Sequence, residues 1–193
     1  MAEGRRRQEC RAGAVALLGG FASMAAHAEN YGGLSFGVAR QQLVCAANAP
    51  CEREAASPRM FAGHRFNDRW GVELAWTRAV SDFTASDSIP GFTWFGAFGV
   101  EQTSLAATFD ISLSTMHLQL RAGVAAVRGE FTSATVGVPD ASRSEMRPMV
   151  GLGLRRQIGE HWAVRADLDV TNGIAYTRSG RFGTLNAGVE FRF

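Results

Sequence analysis

Hydrophobic residues take every second position along most of the chain after about residue 30. In "RWGVELAWT" these residues are Trp70, Val72, Leu74 and Trp76, and the same period recurs in "GLSFGVA", "HLQLRAGVAAV", "WAVRADLDV" and the closing "TLNAGVEFRF". A period of two is typical of β-strands, whose successive side chains point to opposite faces. The pattern therefore predicts an all-β protein.

Short turns and long polar stretches alternate between these runs. Asn67-Asp68, Gly159-Glu160 and, more weakly, the stretch 112–114 are candidates for tight turns. The longer connections fall at 44–57, 81–98, 132–145 and 172–180. This order predicts eight strands with short turns at one end and four long loops at the other. The predicted strands are 31–43, 58–67, 69–80, 100–111, 115–131, 146–158, 161–171 and 181–193.

The polar faces of these strands decide the class of the fold. A sheet facing water would carry many long charged side chains, whereas these faces are rich in glycine, alanine, serine and threonine. Their few charges are Glu73, Arg121, Arg155, Arg165 and Asp167. Small residues with a few paired charges suit the filled interior of a narrow barrel. We therefore predict an eight-stranded antiparallel up-and-down transmembrane β-barrel with lipid outside.

A soluble, lipocalin-like barrel is the structural alternative, and it would need the apolar faces inside. Aromatic residues near the strand ends favour the membrane barrel, because such barrels carry aromatic girdles at both interfaces. The predicted girdle residues are Trp70, Trp76, Trp94, Trp162, Phe191 and Phe193.

The first 28 residues have the pattern of a secretory signal peptide, with cleavage expected after Ala28. Four arginines precede a short apolar run, and Ala26-His27-Ala28 is a small-x-small cleavage site. The predicted barrel domain is then 29–193. The leader holds four of the 20 basic and two of the 18 acidic residues, so 16 of each remain. A neutral exported chain gives no reason to expect nucleic acid as a partner.

Two cysteines, Cys45 and Cys51, remain in the predicted mature chain and flank "AANAP". In an oxidising compartment such a pair favours a disulfide that closes a small loop. A metal site is the alternative, but no histidine lies nearby in sequence, and zinc sites normally use four ligands.

Three segments resemble the eight-stranded outer-membrane barrels of the OmpA-like and OmpX-like family. "MFAGHRFNDRWGVELAWT" is similar to the second hairpin of that family, and "RPMVGLGLRRQIGEHWAVRADLDVTNGI" is similar to its sixth and seventh strands. The final "GVEFRF" matches its terminal strand. The chain stops at that strand, so we do not expect the periplasmic peptidoglycan-binding domain of longer members.

The resemblance implies an interior salt bridge at the barrel waist, with Glu73 and Arg165 at the matching positions. Arg121 matches an interior arginine of the fifth strand. The family often has a second glutamate where this chain has Arg155, which puts the family's switching gate in doubt. An aromatic C-terminus such as Phe193 resembles the recognition signal for the barrel-assembly machinery.

These features favour a structural or surface-interaction role in a Gram-negative outer membrane, through four extracellular loops. A narrow pore gated by interior salt bridges is the first alternative, and a lipid A-modifying barrel enzyme is the second. We expect no catalytic residues, cofactor or metal. The expected partners are outer-membrane lipids and the assembly machinery, the loop ligand is open, and the protein is expected to be a monomer.

Overall fold

The computed structural model describes residues 28–41, 54–86, 93–133, 140–174 and 179–193. These residues form eight β-strands. Their bounds are β1 (Glu29–Gln41), β2 (Glu54–Arg65), β3 (Trp70–Ser86), β4 (Thr93–Leu113), β5 (Met116–Ser133), β6 (Ala141–Gln157), β7 (Trp162–Ile174) and β8 (Ser179–Arg192). Nothing in the described ranges forms a helix long and apolar enough to cross a membrane.

The strands close into one antiparallel barrel in sequence order. Each strand pairs with its neighbours along the chain, and β1 pairs with β8 from Tyr31↔Arg192 to Gln41↔Phe182. Closure removes the free sheet edges that hydrocarbon does not tolerate. The predicted fold, an eight-stranded up-and-down barrel, is confirmed.

The apolar face of every strand points outward. Leu34 is 60 % exposed, Leu74 is 53 % exposed and Leu185 is 55 % exposed, while Glu73 and Asp167 are almost completely buried. A barrel dissolved in water would bury the leucines and expose the carboxylates. The alternative of a soluble ligand-binding barrel is therefore wrong.

The four strands β3 to β6 are longer than predicted and extend past the other four. The ladder between β2 and β3 ends at Arg59↔Thr77, and the ladder between β6 and β7 ends at Met149↔Thr171. Beyond these pairs, β3 to β6 continue as a four-stranded sheet towards the long connections. We call this extension the projecting sheet; it comprises 78–86, 93–101, 128–133 and 141–148.

A proline stands next to the last pair of each shortened ladder. Pro58 precedes Arg59 in β2, and Pro148 precedes Met149 in β6. Proline has no backbone N–H to donate to a neighbouring strand, so it suits the place where pairing ends. The two prolines thus mark where the closed wall divides into separate sheets.

Tight turns join the strands at the opposite end. The side-chain amide oxygen of Asn67 accepts hydrogen bonds from the backbone N–H groups of Arg69 and Trp70, at 2.9 and 2.8 Å. Asparagine favours turns because it can bond the backbone in this way. The turn between β4 and β5 contains Ser114, whose φ of 37° lies in the left-handed region that two-residue hairpin turns require.

Candidate functional site

Among the described residues, ten ionisable side chains are buried in the lower lumen, towards the short turns. They are five arginines and five carboxylates, and each is at most 7 % exposed. The set comprises Arg59, Arg65, Arg121, Arg155, Arg165, Glu73, Asp110, Asp167, Asp169 and Glu190. Burying an ion costs several kcal/mol unless opposite charges and hydrogen bonds compensate for lost water. The equal numbers of the two signs make such compensation possible, and we call this set the charged plug.

Glu73 is the centre of the upper part of the charged plug. Its carboxylate lies 2.7 Å from the Arg59 guanidinium, 2.9 Å from that of Arg165 and 3.4 Å from that of Arg121. The hydroxyl of Tyr31 donates a further hydrogen bond of 3.1 Å. Four donors from four strands therefore converge on one carboxylate, which ties opposite sides of the barrel together.

Two carboxylates of β7 extend this cluster. Asp167 accepts hydrogen bonds from Arg121 at 2.6 Å and from Arg165 at 2.9 Å. Asp169 lies 2.9 Å from Arg121 and also contacts Arg59. The two carboxylates are neighbours on the inward face because they are two residues apart in one strand.

Glu190 is the centre of the lower part of the charged plug. It lies 2.8 Å from Arg65, 3.2 Å from Arg155 and 3.3 Å from Arg165. Arg65 also reaches Asp110 at 3.4 Å. Arg165 contacts both Glu73 and Glu190, so it joins the upper and lower parts.

Two interior aromatic rings support the arginines. The guanidinium of Arg165 lies 4.0 Å from the centre of the Phe61 ring, and that of Arg65 lies 4.3 Å from the centre of the Tyr31 ring. Cation–π contacts of this kind gain strength where water is excluded. They also fix the planes of the guanidinium groups, which favours the observed pairing with several carboxylates.

Buried apolar residues pack together in the lumen towards the long connections, and we call them the apolar layer. Its members are buried residues of several strands: Ala39, Ala79, Val100, Ala106, Ala125, Val127, Met149 and Phe182. The described interior therefore holds charged and aromatic groups below and, above them, the apolar layer together with buried Thr77, Gln102 and Thr171. Both parts take up space inside the barrel.

The structure brings four of the five predicted interior charges into one cluster: Glu73, Arg121, Arg165 and Asp167. Arg155 faces the same lumen, but it pairs with Glu190. Sequence reasoning did not select Arg59, Arg65, Asp110 or Asp169. All four lie on the inward face of their strands, at positions that the two-residue period assigns to the lumen.

The predicted girdle residues lie on the outward face where their side chains are described. Trp70 packs against Phe109 at 4.8 Å between ring centres, and Trp162 packs against Phe191 at 4.9 Å. Phe191 in turn stacks on Phe193 at 6.2 Å. Trp76 donates a hydrogen bond of 2.7 Å from its indole nitrogen to Glu101.

Some predictions concern residues outside the described ranges. They are the signal sequence up to residue 27, the pair Cys45 and Cys51, and the side chain of Trp94, whose backbone belongs to β4.

A serine and a histidine face each other at the short-turn mouth of the barrel. Ser112 and His117 are opposite in the β4–β5 ladder, with 3.4 Å between Oγ and Nδ1. An activated nucleophile normally lies 2.6–3.2 Å from its base. For metals, the described residues hold no group of three or more His, Cys, Asp or Glu side chains arranged as ligands.

Comparison with solved structures finds the same fold in several proteins. Surface protein A of Neisseria has a TM-score of 0.64 at 18 % identity, over 86 % of this chain and 99 % of that chain. The attachment invasion locus protein Ail of Yersinia pestis has a TM-score of 0.57 at 18 % identity, also over 86 % of this chain and 99 % of that chain. A major outer membrane protein of Thermus thermophilus has a TM-score of 0.63 at 13 % identity, over 86 % of this chain and 100 % of that chain.

Comparison with curated sequences finds no match. The sequence profile of the outer membrane protein beta-barrel domain matches residues 13–193, which is most of the chain. That span contains all eight strands, the charged plug and the outward apolar face. The chain therefore belongs to the outer membrane protein beta-barrel domain family and is a protein of the outer membrane.

Proposed function

We propose that this barrel is a structural and surface-interaction protein that makes its contacts through the projecting sheet and the long connections. The observation that carries the proposal is the unequal height of the strands. The projecting sheet extends past the level at which β2 and β7 stop pairing with it. Long connections face the exterior in barrels of this kind.

The projecting sheet has two lateral edges in the described structure. Residues 78–86 of β3 pair with β4 and have no ladder to another described strand, and the same holds for residues 141–148 of β6 beside β5. Free backbone groups at a sheet edge can pair with an added strand. An extended segment of a partner is therefore the class of ligand that these edges fit.

Shortening the projecting sheet tests this role. Ser81 and Phe98 are opposite in the β3–β4 ladder, so an Asn-Gly turn can join them directly. Gly129 and Arg143 can be joined in the same way in the β5–β6 ladder. We expect both variants to keep the heat-shift of a folded barrel on SDS gels and to lose adhesion or serum resistance.

A variant with a shortened 42–53 connection is the matched control, since it leaves the projecting sheet intact. Adhesion and serum resistance that survive both hairpin deletions, together with a rise in outer-membrane permeability, would contradict the surface role. They would favour a role in membrane integrity alone.

A narrow gated pore is the second candidate, and one contact favours it. Arg165 lies between Glu73 and Glu190, at 2.9 and 3.3 Å. An arginine shared by two carboxylates can move towards either one without losing all its partners. The apolar layer above the charged plug opposes conduction, so we rank this candidate second.

We propose no catalytic role for the barrel. Ser112 and His117 lie on the exposed rim, and their 3.4 Å separation is longer than an activated pair requires.

The C-terminal residue is proposed to serve as a signal for the assembly machinery. Phe193 is 72 % exposed, and its backbone N–H donates to the carbonyl of Asn30 at 3.0 Å.

Deleting Phe193 should reduce the amount of barrel inserted in cells several-fold. Val189→Ala, which trims another outward residue of β8, is the matched control. Equal losses in the two variants, measured in isolated outer membranes, would leave Phe193 with a packing role only.

A further inference from the structure

On the outward face of β3 to β6, directly opposite residues of the four strands form rows, which rise from β3 to β6 because the strands are tilted. Four successive rows are apolar or nearly so. From the short turns upward they are Trp70-Phe109-Leu120-Leu152, Val72-Ala107-Ala122-Val150, Leu74-Leu105-Val124-Pro148 and Trp76-Thr103-Ala126-Met146. This is the surface that contacts lipid chains.

The fifth row changes abruptly to charged and polar residues. It consists of Arg78, Glu101, Arg128 and Ser144, which are opposite one another in successive ladders. Arg78 and Arg128 are exposed on the outward side. Since neighbouring strands are about 4.8 Å apart, the two arginine backbones are about 10 Å apart, on either side of Glu101.

Neither arginine of this row forms an ion pair with a described carboxylate. The ion pairs at this end of the barrel join Glu145 to Arg143 and Arg147. Glu101 is directed elsewhere, because its carboxylate accepts the 2.7 Å hydrogen bond from the Trp76 indole. Both guanidinium groups therefore keep their donors available. Guanidinium forks match the geometry of phosphate oxygens.

Arg78 and Arg128 lie near the depth where lipid headgroups begin. Trp70 and Arg78 are separated by about 27 Å along β3. At a strand tilt of about 40° this is about 20 Å of depth, and the side chain of arginine can reach several ångströms further. Arg128 is two strands further along the rising row and therefore about 6 Å higher. The apolar band of such barrels is about 25 Å tall. Arg78 and Arg128 thus face sideways into the outer headgroup region and not into the lumen.

We propose that Arg78 and Arg128, beside the Trp76–Glu101 pair, form a binding site for a phosphorylated glycolipid headgroup of the outer leaflet. The apolar rows below would contact the acyl chains of the same lipid, and Ser144 is placed to donate a further hydrogen bond. The site holds a specific lipid at one side of the barrel. It does not depend on the surface role proposed above.

Binding of diphosphoryl lipid A to the purified, folded barrel in detergent tests this site. The comparison lipid is the same molecule after both phosphates have been removed. We expect the protein to bind the phosphorylated form at least about tenfold more tightly, and the doubly substituted variant Arg78→Gln/Arg128→Gln to lose that preference. Glu101→Gln removes the negative charge between the arginines and should tighten binding several-fold, which a purely structural role would not produce.

Arg156→Gln is the matched control, because Arg156 is an exposed, outward-facing arginine of β6 at the opposite rim. It should keep the full preference for the phosphorylated lipid. Equal binding of the two lipids by the unsubstituted protein would overturn the site. So would a loss of the preference for the phosphorylated lipid in Arg156→Gln as large as the loss in Arg78→Gln/Arg128→Gln. Full competition by inorganic phosphate alone would overturn the assignment to a lipid.

Discussion

Replacing Glu73 with alanine should lower the free energy of unfolding by about 3–5 kcal/mol. The carboxylate pairs with Arg59, Arg121 and Arg165 in the buried lumen, at 2.7, 3.4 and 2.9 Å. Its removal leaves a surplus positive charge where water cannot compensate. Urea titration of the barrel folded in lipid vesicles, followed by tryptophan fluorescence, measures the change.

Glu145→Ala is the matched control for this prediction. Glu145 also pairs with two arginines, Arg143 and Arg147, but these pairs lie at the exposed mouth of the barrel. Exposed ion pairs contribute about 0–1 kcal/mol, so the control should change stability little. Similar losses in the two variants would show that burial of the charged plug is not what makes Glu73 important.

Gly37→Ala should destabilise the closure of the barrel by about 1–3 kcal/mol or more. Gly37 faces inward on β1 at the seam with β8, opposite Asn186. An added Cβ would overlap the carbonyl oxygen of Leu185 and lie 2.7 Å from the Cα of Asn186. Both are backbone atoms of β8, so the methyl group can be accommodated only if the two strands separate.

Gly32→Ala on the same strand is the control, since its nearest neighbour would be the Phe61 carbonyl oxygen at 3.4 Å. Without a clash, alanine should be neutral or stabilise the strand by roughly 0.5 kcal/mol. The fraction that shows heat-shifted mobility after refolding reports closure in both variants. An unchanged folded fraction for Gly37→Ala would mean that the seam is more adaptable than the register implies.

The two-residue period predicts the barrel because lipid imposes it. Where a strand crosses hydrocarbon, every second residue must be apolar, and Trp70 to Trp76 or Leu118 to Val124 show this directly. The turn signals between the alternating runs add the number of strands, and the small residues of the polar faces add the inside-out arrangement. The aromatic C-terminal strand also fits the alternation.

The projecting sheet could not be found in the same way. Residues 141–145 read "ASRSE", which is polar on both faces and favours a loop. In the structure these residues belong to β6, which starts at Ala141. Above the hydrocarbon both faces of a strand meet water or the barrel mouth, so the alternation disappears while the pairing continues.

The charged plug could be predicted only in part, because aromatic residues are expected on the lipid side. Tyr31 and Phe61 face inward instead, under the guanidinium groups of Arg65 and Arg165. Phe61 lies on the same inward face of β2 as Arg59 and Arg65, so that face is not uniformly polar in the sequence. The pairing of Arg155 with Glu190 depends on the register between β7 and β8, which composition does not fix.

A lumen filled by the charged plug and the apolar layer should not conduct ions. Single-channel recording in planar lipid bilayers tests it most directly, with insertion verified by the heat-shift of the recovered protein. We expect no regular conductance steps for the unsubstituted barrel and none for Glu73→Ala, because the apolar layer around Val100, Val127 and Phe182 remains. Stable unitary steps from the unsubstituted protein, or steps that rise sharply in Glu73→Ala, would contradict it.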